Sequence, residues 1–275
     1  MQNSGNISRL TYYYKSKGKP SDADLVGKIE KIALEYPSYG YRRITAELKR
    51  QGLEVNHKRV YRIMRSQNLL CRARKSFKIT TNSAHSLKKY PNLIENLTPA
   101  RPDQIWHADI TYIRIATSFV YLAALIDGFS RRVVGYGLAR TLSADLTLEA
   151  LLDAISKRNT EDLIHHSDQG IQYCSSDYVE VLKEHGIEIS MSGKANPYDN
   201  AKIESFFRTL KVEEVYMFEY ETYQEVVSRI PYFIEEVYNK KRLHSSLGYL
   251  PPEEFENIIN DKKEKNKSHQ LVLTS

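Results

Sequence analysis

The chain has 275 residues, enough for one sizeable domain and a smaller one, and its 41% hydrophobic and 27% charged content is ordinary for a water-soluble globular protein. Its longest apolar run, Phe119 to Ile126, is eight residues against the about 20 that a membrane helix needs, and no basic-then-apolar leader opens the chain. Two distant cysteines, Cys71 and Cys174, argue against a disulfide framework or a zinc site, so a reducing cytoplasm is the expected setting.

The net charge of +6 is concentrated. Between Tyr41 and Thr80 stand twelve Lys and Arg against only Glu47 and Glu54, a local excess of ten that leaves the remainder slightly acidic. A basic segment beside a near-neutral remainder points to nucleic acid.

In chain order, residues 1–20 are polar and expected to form a loose arm. Residues 21–75 read as a basic, helix-turn-helix-like domain. A helix capped by Ser21 or Asp22 runs to Glu35 with Leu25, Ile29, Ile32 and Ala33 on one face, and Pro37 to Gly40 break it. A second helix runs from Tyr41 to Gln51 with Ile44 and Leu48 inward, ended by Gly52. A third, capped by Asn56, runs to Gln67 with Val60, Ile63 and Met64 inward. Arg42, Arg43, Lys58, Arg59, Arg62 and Arg65 are the candidate DNA contacts. Residues 76–101 read as a linker.

Residues 102–258 are expected to form an α/β core with a mixed sheet and helices on both faces. Gln104 to Arg114 alternates as a strand, with Trp106, Ala108, Ile110 and Tyr112 on one side and His107, Asp109 and Thr111 on the other. Trp106 and Tyr112 are expected in the core. Phe119 to Ile126 suits a central strand buried on both faces. Arg132 to Ala139 is a third strand. A helix from Thr141 to Lys157 covers the sheet with Leu146, Leu148, Leu151, Leu152 and Ile155. Leu163 to His166 is a short strand ending just before Asp168, followed by a helix to His185 and a strand from Ile187 to Met191. The stretch from Gly193 to Tyr198 is expected to be a mobile loop. A helix follows from Asp199, its expected cap, to about Tyr216, its buried part ending before Glu214, and another spans Tyr223 to Lys240. Residues 259–275 are Lys-rich and expected to be disordered.

Three acids stand in distinctive phrases. Asp109 lies in Trp106-His107-Ala108-Asp109-Ile110-Thr111-Tyr112, and Asp168 in His166-Ser167-Asp168-Gln169-Gly170. Glu204 follows Asn200-Ala201-Lys202-Ile203, with 35 residues between it and Asp168. Acids on or past strand ends and a third on a later helix can converge on two Mg²⁺ ions, the equipment for phosphodiester chemistry. On that last helix Ile203, Phe206, Phe207 and Leu210 make the apolar face, and Arg208 and Lys211 fall near Glu204, available to a DNA backbone. A plain surface acid paired with Arg208 is the competing reading of Glu204. Asp127 is an accessory metal candidate or a turn cap. His166 is an accessory candidate or a histidine held by a hydrogen bond. No P-loop, H-E-x-x-H, G-x-S-x-G or Cys/His cluster occurs, which leaves nucleotide hydrolysis, zinc hydrolysis and serine acyl transfer unsupported.

These phrases resemble the retroviral-integrase-like DDE transposases of bacterial insertion sequences, in particular their second-frame products. The resemblance covers most of the chain. It includes Tyr36 to Ile44 and Val60 to Met64 in the helical segment, Asp127 to Arg132 after the second strand, Asn196 to Ala201 ahead of Glu204, Lys211, Tyr238 to Gly248, and Pro251-Pro252-Glu253. Leu243 stands where such proteins often carry Pro, and the zinc module of retroviral integrases is missing. The resemblance implies an RNase H-like core of five strands, with Asp109, Asp168 and Glu204 as metal ligands for Mg²⁺ (Mn²⁺ substituting). It implies nicking at terminal repeats and attack of the freed 3′-hydroxyl on another phosphodiester. The implied partners are DNA, further copies of the chain on paired ends, and an upstream first-frame helix-turn-helix protein, separate or fused by frameshifting. An RNase H-like nuclease without strand transfer and a non-catalytic DNA-binding regulator are the alternatives.

Overall fold

The structure, a computed structural model, describes residues 22–71, 87–193 and 200–273. The expected mobile loop after Gly193, the cap Asp199, the arm before Ser21 and the first part of the linker fall outside these residues. The chain divides into two compact units, residues 1–73 and 74–275.

The first unit holds three helices, α1 (Asp22–Glu35), α2 (Tyr41–Arg50) and α3 (His57–Ser66). Their apolar stripes close on each other: Leu25, Ile29 and Ile32 meet Ile44, Leu48, Val60, Ile63 and Met64, all buried. Gly52 ends α2 with φ +80°, and the Leu53 N–H reaches back to the Leu48 carbonyl at 2.9 Å. Asn68 makes the same turn after α3, and the Asn56 side chain accepts from the Lys58 N–H at 2.8 Å to start it.

The second unit is built on a five-stranded sheet of β1 (Ile105–Arg114), β2 (Phe119–Asp127), β3 (Val133–Ala139), β4 (Ile164–Ser167) and β5 (Glu188–Met191) in the order β3-β2-β1-β4-β5. The first three strands are antiparallel neighbours, whereas β4 and β5 run parallel to β1. Helices α4 (Ala144–Lys157) and α5 (Ser176–Glu184) cover one face. On the other lie α6 (Ala201–Leu210), continued by a π turn Lys211–Val215, and α7 (Tyr223–Tyr232), continued by a π segment Phe233–Asn239. This is the RNase H-like arrangement. Strand β2 is buried on both faces as expected: Val120, Leu122, Ala124 and Ile126 join one core, Ala123 and Leu125 the other.

Several expectations are corrected by tertiary context. On α4 the buried stripe is Leu146, Thr147, Ala150, Leu151 and Ala154, and Leu152 is exposed. The reason lies in β3, where Gly135 and Gly137 let the α4 backbone come so close that Ala150 and Ala154 stand at the contact, which leaves Leu152 on the outer side. Glu214 was expected beyond the buried stripe, but the π turn rotates it inward. It is 5% exposed and compensated by the Arg229 guanidinium at 2.8 Å and the Tyr220 hydroxyl at 2.6 Å. Tyr112 is half-buried rather than core, with its ring under the Lys211 ammonium. The second half of the expected linker is seated on the edge strand β5: the Leu93 N–H donates to Ser190 Oγ, the Met191 N–H donates to the Pro91 carbonyl, and Ile94 is buried. The expected disordered tail is helical: α8 runs Pro252–Leu273, its Lys- and Glu-rich composition favouring helix despite little apolar surface.

Gly135→Ala is expected to destabilise the second unit by about 1–3 kcal/mol or more, because its Cβ would lie 2.4 Å from the Ala150 carbonyl oxygen. Gly27→Ala, at an open helical position of α1, should instead stabilise the first unit by about 0.5–1 kcal/mol. Thermal unfolding of both variants beside wild type checks the opposite signs.

Candidate active site

Parallel pairing of β1 with β4 sets His107 opposite His166, so two residues further on the chain reaches Asp109 on β1 and Asp168 just past the end of β4. Asp168 sits in the tight turn after β4, where its Oδ1 accepts the Gly170 N–H at 2.8 Å. A Cβ at Gly170 would stand 2.8 Å from that same oxygen, which accounts for glycine in the phrase. Glu204 lies in the first turn of α6, exposed, and no ion pair joins it to Arg208 among the described residues. The start of α6 is tied over β1 by Asn200, whose Nδ2 lies 3.5 Å from the Ala108 carbonyl.

The three acids therefore lie on one side of the sheet, and electrostatics registers it. Asp109 is pushed up to about 8, first by burial, then by the negative charge of Asp168, with Glu204 adding to it. The Ile110 N–H, 2.7 Å from Asp109 Oδ1, and the Lys211 charge oppose the shift only in part. Lys211 stands 4.8 Å from the centroid of the Tyr112 ring; burial lowers its pKa, with Asp109 pulling the other way. Arg208 is exposed one turn after Glu204.

Among the described residues no group of three or more His, Cys, Asp or Glu is drawn tightly enough to hold a metal ion. Bare carboxylates repel one another, and Mg²⁺ ordinarily takes one or two carboxylates beside phosphate and water oxygens, so a closed protein cage is not required. The donor set is all oxygen, and its negative charge is left undercompensated at Asp109. Both features fit a hard divalent cation.

The accessory candidates resolve differently. Asp127 is fully buried at the end of β2, and its Oδ1 accepts from the Phe129 and Ser130 N–H groups while its Oδ2 accepts the Asp103 N–H. The Ser130 hydroxyl lies 2.9 Å from the same Oδ1. Asp127 caps the turn, with both carboxylate oxygens engaged in hydrogen bonds. Burial pushes it up to about 6 and these hydrogen bonds pull it down. His166 is fully buried with Nδ1 2.9 Å from Ser190 Oγ, a histidine held by a hydrogen bond.

In the N-terminal unit Arg42, Lys58, Arg62 and Arg65 are exposed, and Arg43 and Arg59 are half-buried. The Arg42 and Arg43 guanidiniums stack over Tyr41 and Tyr39. The outward faces of α2 and α3 thus carry fixed positive charge.

Sequence reasoning missed a buried ionic network behind the site. Arg158 is bidentate to Glu256, at 2.8 and 2.9 Å, and its Nε reaches Asp103 at 2.8 Å. Glu256 also takes Arg132 at 3.0 Å and lies 2.6 Å from the Ser130 hydroxyl. Burial works against the Glu256 charge, but Arg158, Ser130 and Arg132 hold it below the usual carboxylate range. The signature from Tyr238 to Gly248 is likewise structural. Asn239 both accepts from and donates to the Val133 backbone, Arg242 is bidentate to Glu213, and Tyr238 packs edge-on against Phe206 of α6. Neither Arg158 nor Glu256 falls in a recognised phrase, and they stand 98 positions apart in the chain, so no local pattern announces the pair.

The folded chain keeps a proton on Asp109 that the unfolded chain releases near pH 4, so in metal-free protein this group's stability contribution is lost as pH rises from about 4 through about 8. Asp109→Asn should therefore raise the Tm over wild type by several degrees at pH 8.5 in EDTA, and by little at pH 5. Equal gaps at both pH values would mean that Asp109 ionises normally.

Residues 20–77 match an HTH-like domain model, and residues 99–197 and 185–252 match two models of the integrase core domain. The chain is 37% identical over 257 residues to the 31 kDa protein of insertion element IS600 from Shigella sonnei, covering 90% of this chain and 94% of that one. It is 40% identical over 233 residues to the transposase for insertion sequence element IS904 from Lactococcus lactis, covering 83% and 92%. It is also 40% identical over 221 residues to transposase InsF for insertion sequence IS3A from Escherichia coli, covering 80% and 77%. Among solved structures, the HTLV-2 integrase catalytic core domain in complex with magnesium superposes with a TM-score of 0.46 at 16% identity, over 58% of this chain and 99% of that one. No helix among the described residues is long and apolar enough to cross a membrane. By these relatives and domain matches, the chain belongs to the transposases of insertion-sequence elements, with an HTH-like domain ahead of an integrase core domain.

Proposed function

We propose that the chain cuts DNA at the ends of its insertion sequence and joins the freed 3′ ends to another DNA, with Asp109, Asp168 and Glu204 holding Mg²⁺ or, in its place, Mn²⁺. The observation that carries this reading is the crowding of negative charge at Asp109, whose carboxyl is pushed up by burial and by Asp168 and Glu204 together. Bound Mg²⁺ in a two-ion site supplies activation of the attacking oxygen and stabilisation of the leaving oxygen.

The chain's own residues have separate tasks. Asp109, on a central strand, and Asp168, in a turn locked by Gly170, give two carboxylates fixed by backbone hydrogen bonds. Glu204 adds the third from a helix anchored on the sheet by four buried apolar side chains. Lys211 and Arg208 offer positive charge to phosphates flanking the scissile bond. Arg42, Arg43, Lys58, Arg59, Arg62 and Arg65 hold the backbone of the element end. In cleavage, water oxygen bonds to phosphorus and the bond to the 3′ oxygen breaks, releasing a 3′-hydroxyl. In joining, that hydroxyl bonds to a target phosphorus, its proton leaves, and the target's own 3′ oxygen departs. One phosphodiester replaces another. Joining two ends in one event calls for more than one copy of the chain, and a first-frame helix-turn-helix protein is the implied partner in end recognition.

With a labelled, pre-cut element end, plasmid target and Mg²⁺ or Mn²⁺, wild type should form joined product. Asp109→Asn, Asp168→Asn and Glu204→Gln should each lose it by about 100-fold or more while still binding DNA. Cleavage without joining in wild type would instead mark a hydrolytic nuclease. Binding without chemistry, persisting when the upstream frame is fused, would mark a regulator.

A further inference from the structure

The α6 helix has two flanks. At about 100° per residue, Glu204 and Lys211 fall on one side of its apolar face, and Lys202 falls on the other, about 200° round from Glu204. The Lys202 flank looks toward the turn between β2 and β3. Asn200, two residues earlier, is tied to the Ala108 carbonyl, and the turn lies against the neighbouring residue of β1: Gly128 N–H donates to the Ile105 carbonyl at 2.8 Å, and a Cβ on Gly128 would stand 3.1 Å from His107 Nε2. Arg131 belongs to this turn. It holds a left-handed backbone at φ +65°, uncommon for arginine, with its N–H on the Asp127 carbonyl at 3.0 Å.

Arg131 and Lys202 are both half-buried, the charge of Arg131 acts against that of Lys202, and among the described residues neither head group has a hydrogen bond or an ion pair. Among the described residues Asp127 is the carboxylate that acts on both, with Tyr238 acting on Arg131 as well, and the Asp127 oxygens are already taken by backbone N–H groups of the turn and of Asp103. Beneath the pair lies His107, 2% exposed, with neither ring nitrogen hydrogen-bonded, which brings no negative charge. Arg132, the next residue, is by contrast consumed by Glu253 and Glu256. Two like charges held together with one saturated carboxylate nearby make a place short of an anion.

We propose that Arg131 and Lys202 form a second phosphate site, taking one backbone phosphate of DNA on the flank of α6 opposite the three acids. The assignment of the anion to DNA rests on the strand-transfer reading. Such a site fixes the duplex at both flanks of the helix that carries Glu204, so that the strand cannot pivot about Lys211 alone.

The test uses full-length protein in EDTA, wild type beside an Arg131→Gln/Lys202→Gln double variant and the charge-keeping Arg131→Lys/Lys202→Arg variant. Replacing chloride with inorganic phosphate at constant ionic strength should raise the Tm of wild type and of the charge-keeping variant more than that of the neutral one. With a fluorescent duplex, the slope of log affinity against log salt should be shallower by about 1 in the neutral variant only, the release of roughly one phosphate's counterions. Without phosphate, the neutral variant should melt at or above wild type, since a repulsion is removed. An unchanged salt slope overturns the proposal, as does equal stabilisation by phosphate. A marked fall in the phosphate-free Tm, which would assign the pair a structural role, also overturns it. Neither readout needs chemistry, so failure of strand transfer with these effects intact would end the catalytic reading and leave the phosphate site standing.

Discussion

Everything in the second unit serves to keep like charges together. Parallel pairing of β1 and β4 delivers two carboxylates to neighbouring strand positions, and α6 brings a third acid over them. The cost appears at Asp109, whose carboxyl is held up at about 8 by burial and by its acidic neighbours. Left to themselves these groups would separate, so the backbone beneath them has to be stiff. It is: β2 is buried on both faces, and α4 packs on β3 through Gly135 and Gly137 with no space for a methyl group between. Stability lost at the site is supplied by apolar packing elsewhere, the usual arrangement where function and stability pull apart.

The position of Glu204 depends on a chain of contacts that runs to the far end of the molecule. Phe206 and Phe207 fix the roll of α6, and Phe206 is held in turn by the edge of Tyr238. Tyr238 is followed by Asn239, which completes the backbone pairing of Val133, and by Arg242, bidentate on Glu213 of the π turn that extends α6. Glu256 then ties α8 to Arg132 and Arg158 behind the β2–β3 turn. Buried ion pairs of this kind are weak sources of net stability because desolvation offsets their attraction. Their directionality is what matters here. A bidentate guanidinium–carboxylate pair accepts one geometry, and so fixes where the C-terminal elements back α6.

The parts of this fold that a sequence can declare are those set by local periodicity. The alternation of β1, the unbroken apolar run of β2 and the 3.6-residue stripe of α6 each follow from which side chains must leave water; both strands form within a residue or two of where the pattern places them, while the helix expected to reach Tyr216 turns to a π segment after Leu210. The Asp109 and Asp168 phrases end up side by side because strands that are far apart in sequence pair in register, which their sequence context announces only through resemblance. What local pattern could not give was decided by partners. Leu152 looks like core until the glycines of β3 bring small residues of α4 to the sheet. Glu214 looks solvent-facing until a π turn rotates it and Arg229 and Tyr220 meet it. Arg158 and Glu256 look like surface charge until the fold brings them together. The β5 edge could not announce that Pro91 and Leu93 would cover it.

On the proposed strand-transfer reading, a cluster of carboxylates repels the phosphodiester that it has to approach, so substrate binding cannot come from the acids. The positive charge must stand beside them without neutralising them. α6 achieves this by geometry: its apolar face is fixed on the sheet, which leaves one flank for Glu204 and Lys211 and the other for Lys202. Were these cations in direct ion pairs with the acids, each pairing would have to be broken before DNA or a divalent cation could enter. Lys211 instead sits over the Tyr112 ring, close enough to be felt by Asp109, and Glu204 has no ion pair with Arg208 among the described residues. The contrast with Arg132, Arg158 and Arg242 is physical rather than compositional. Those three have bound carboxylates and act as struts, whereas Lys202, Arg208 and Lys211 make no ion pair among the described residues and, on the proposed reading, keep their charge for DNA.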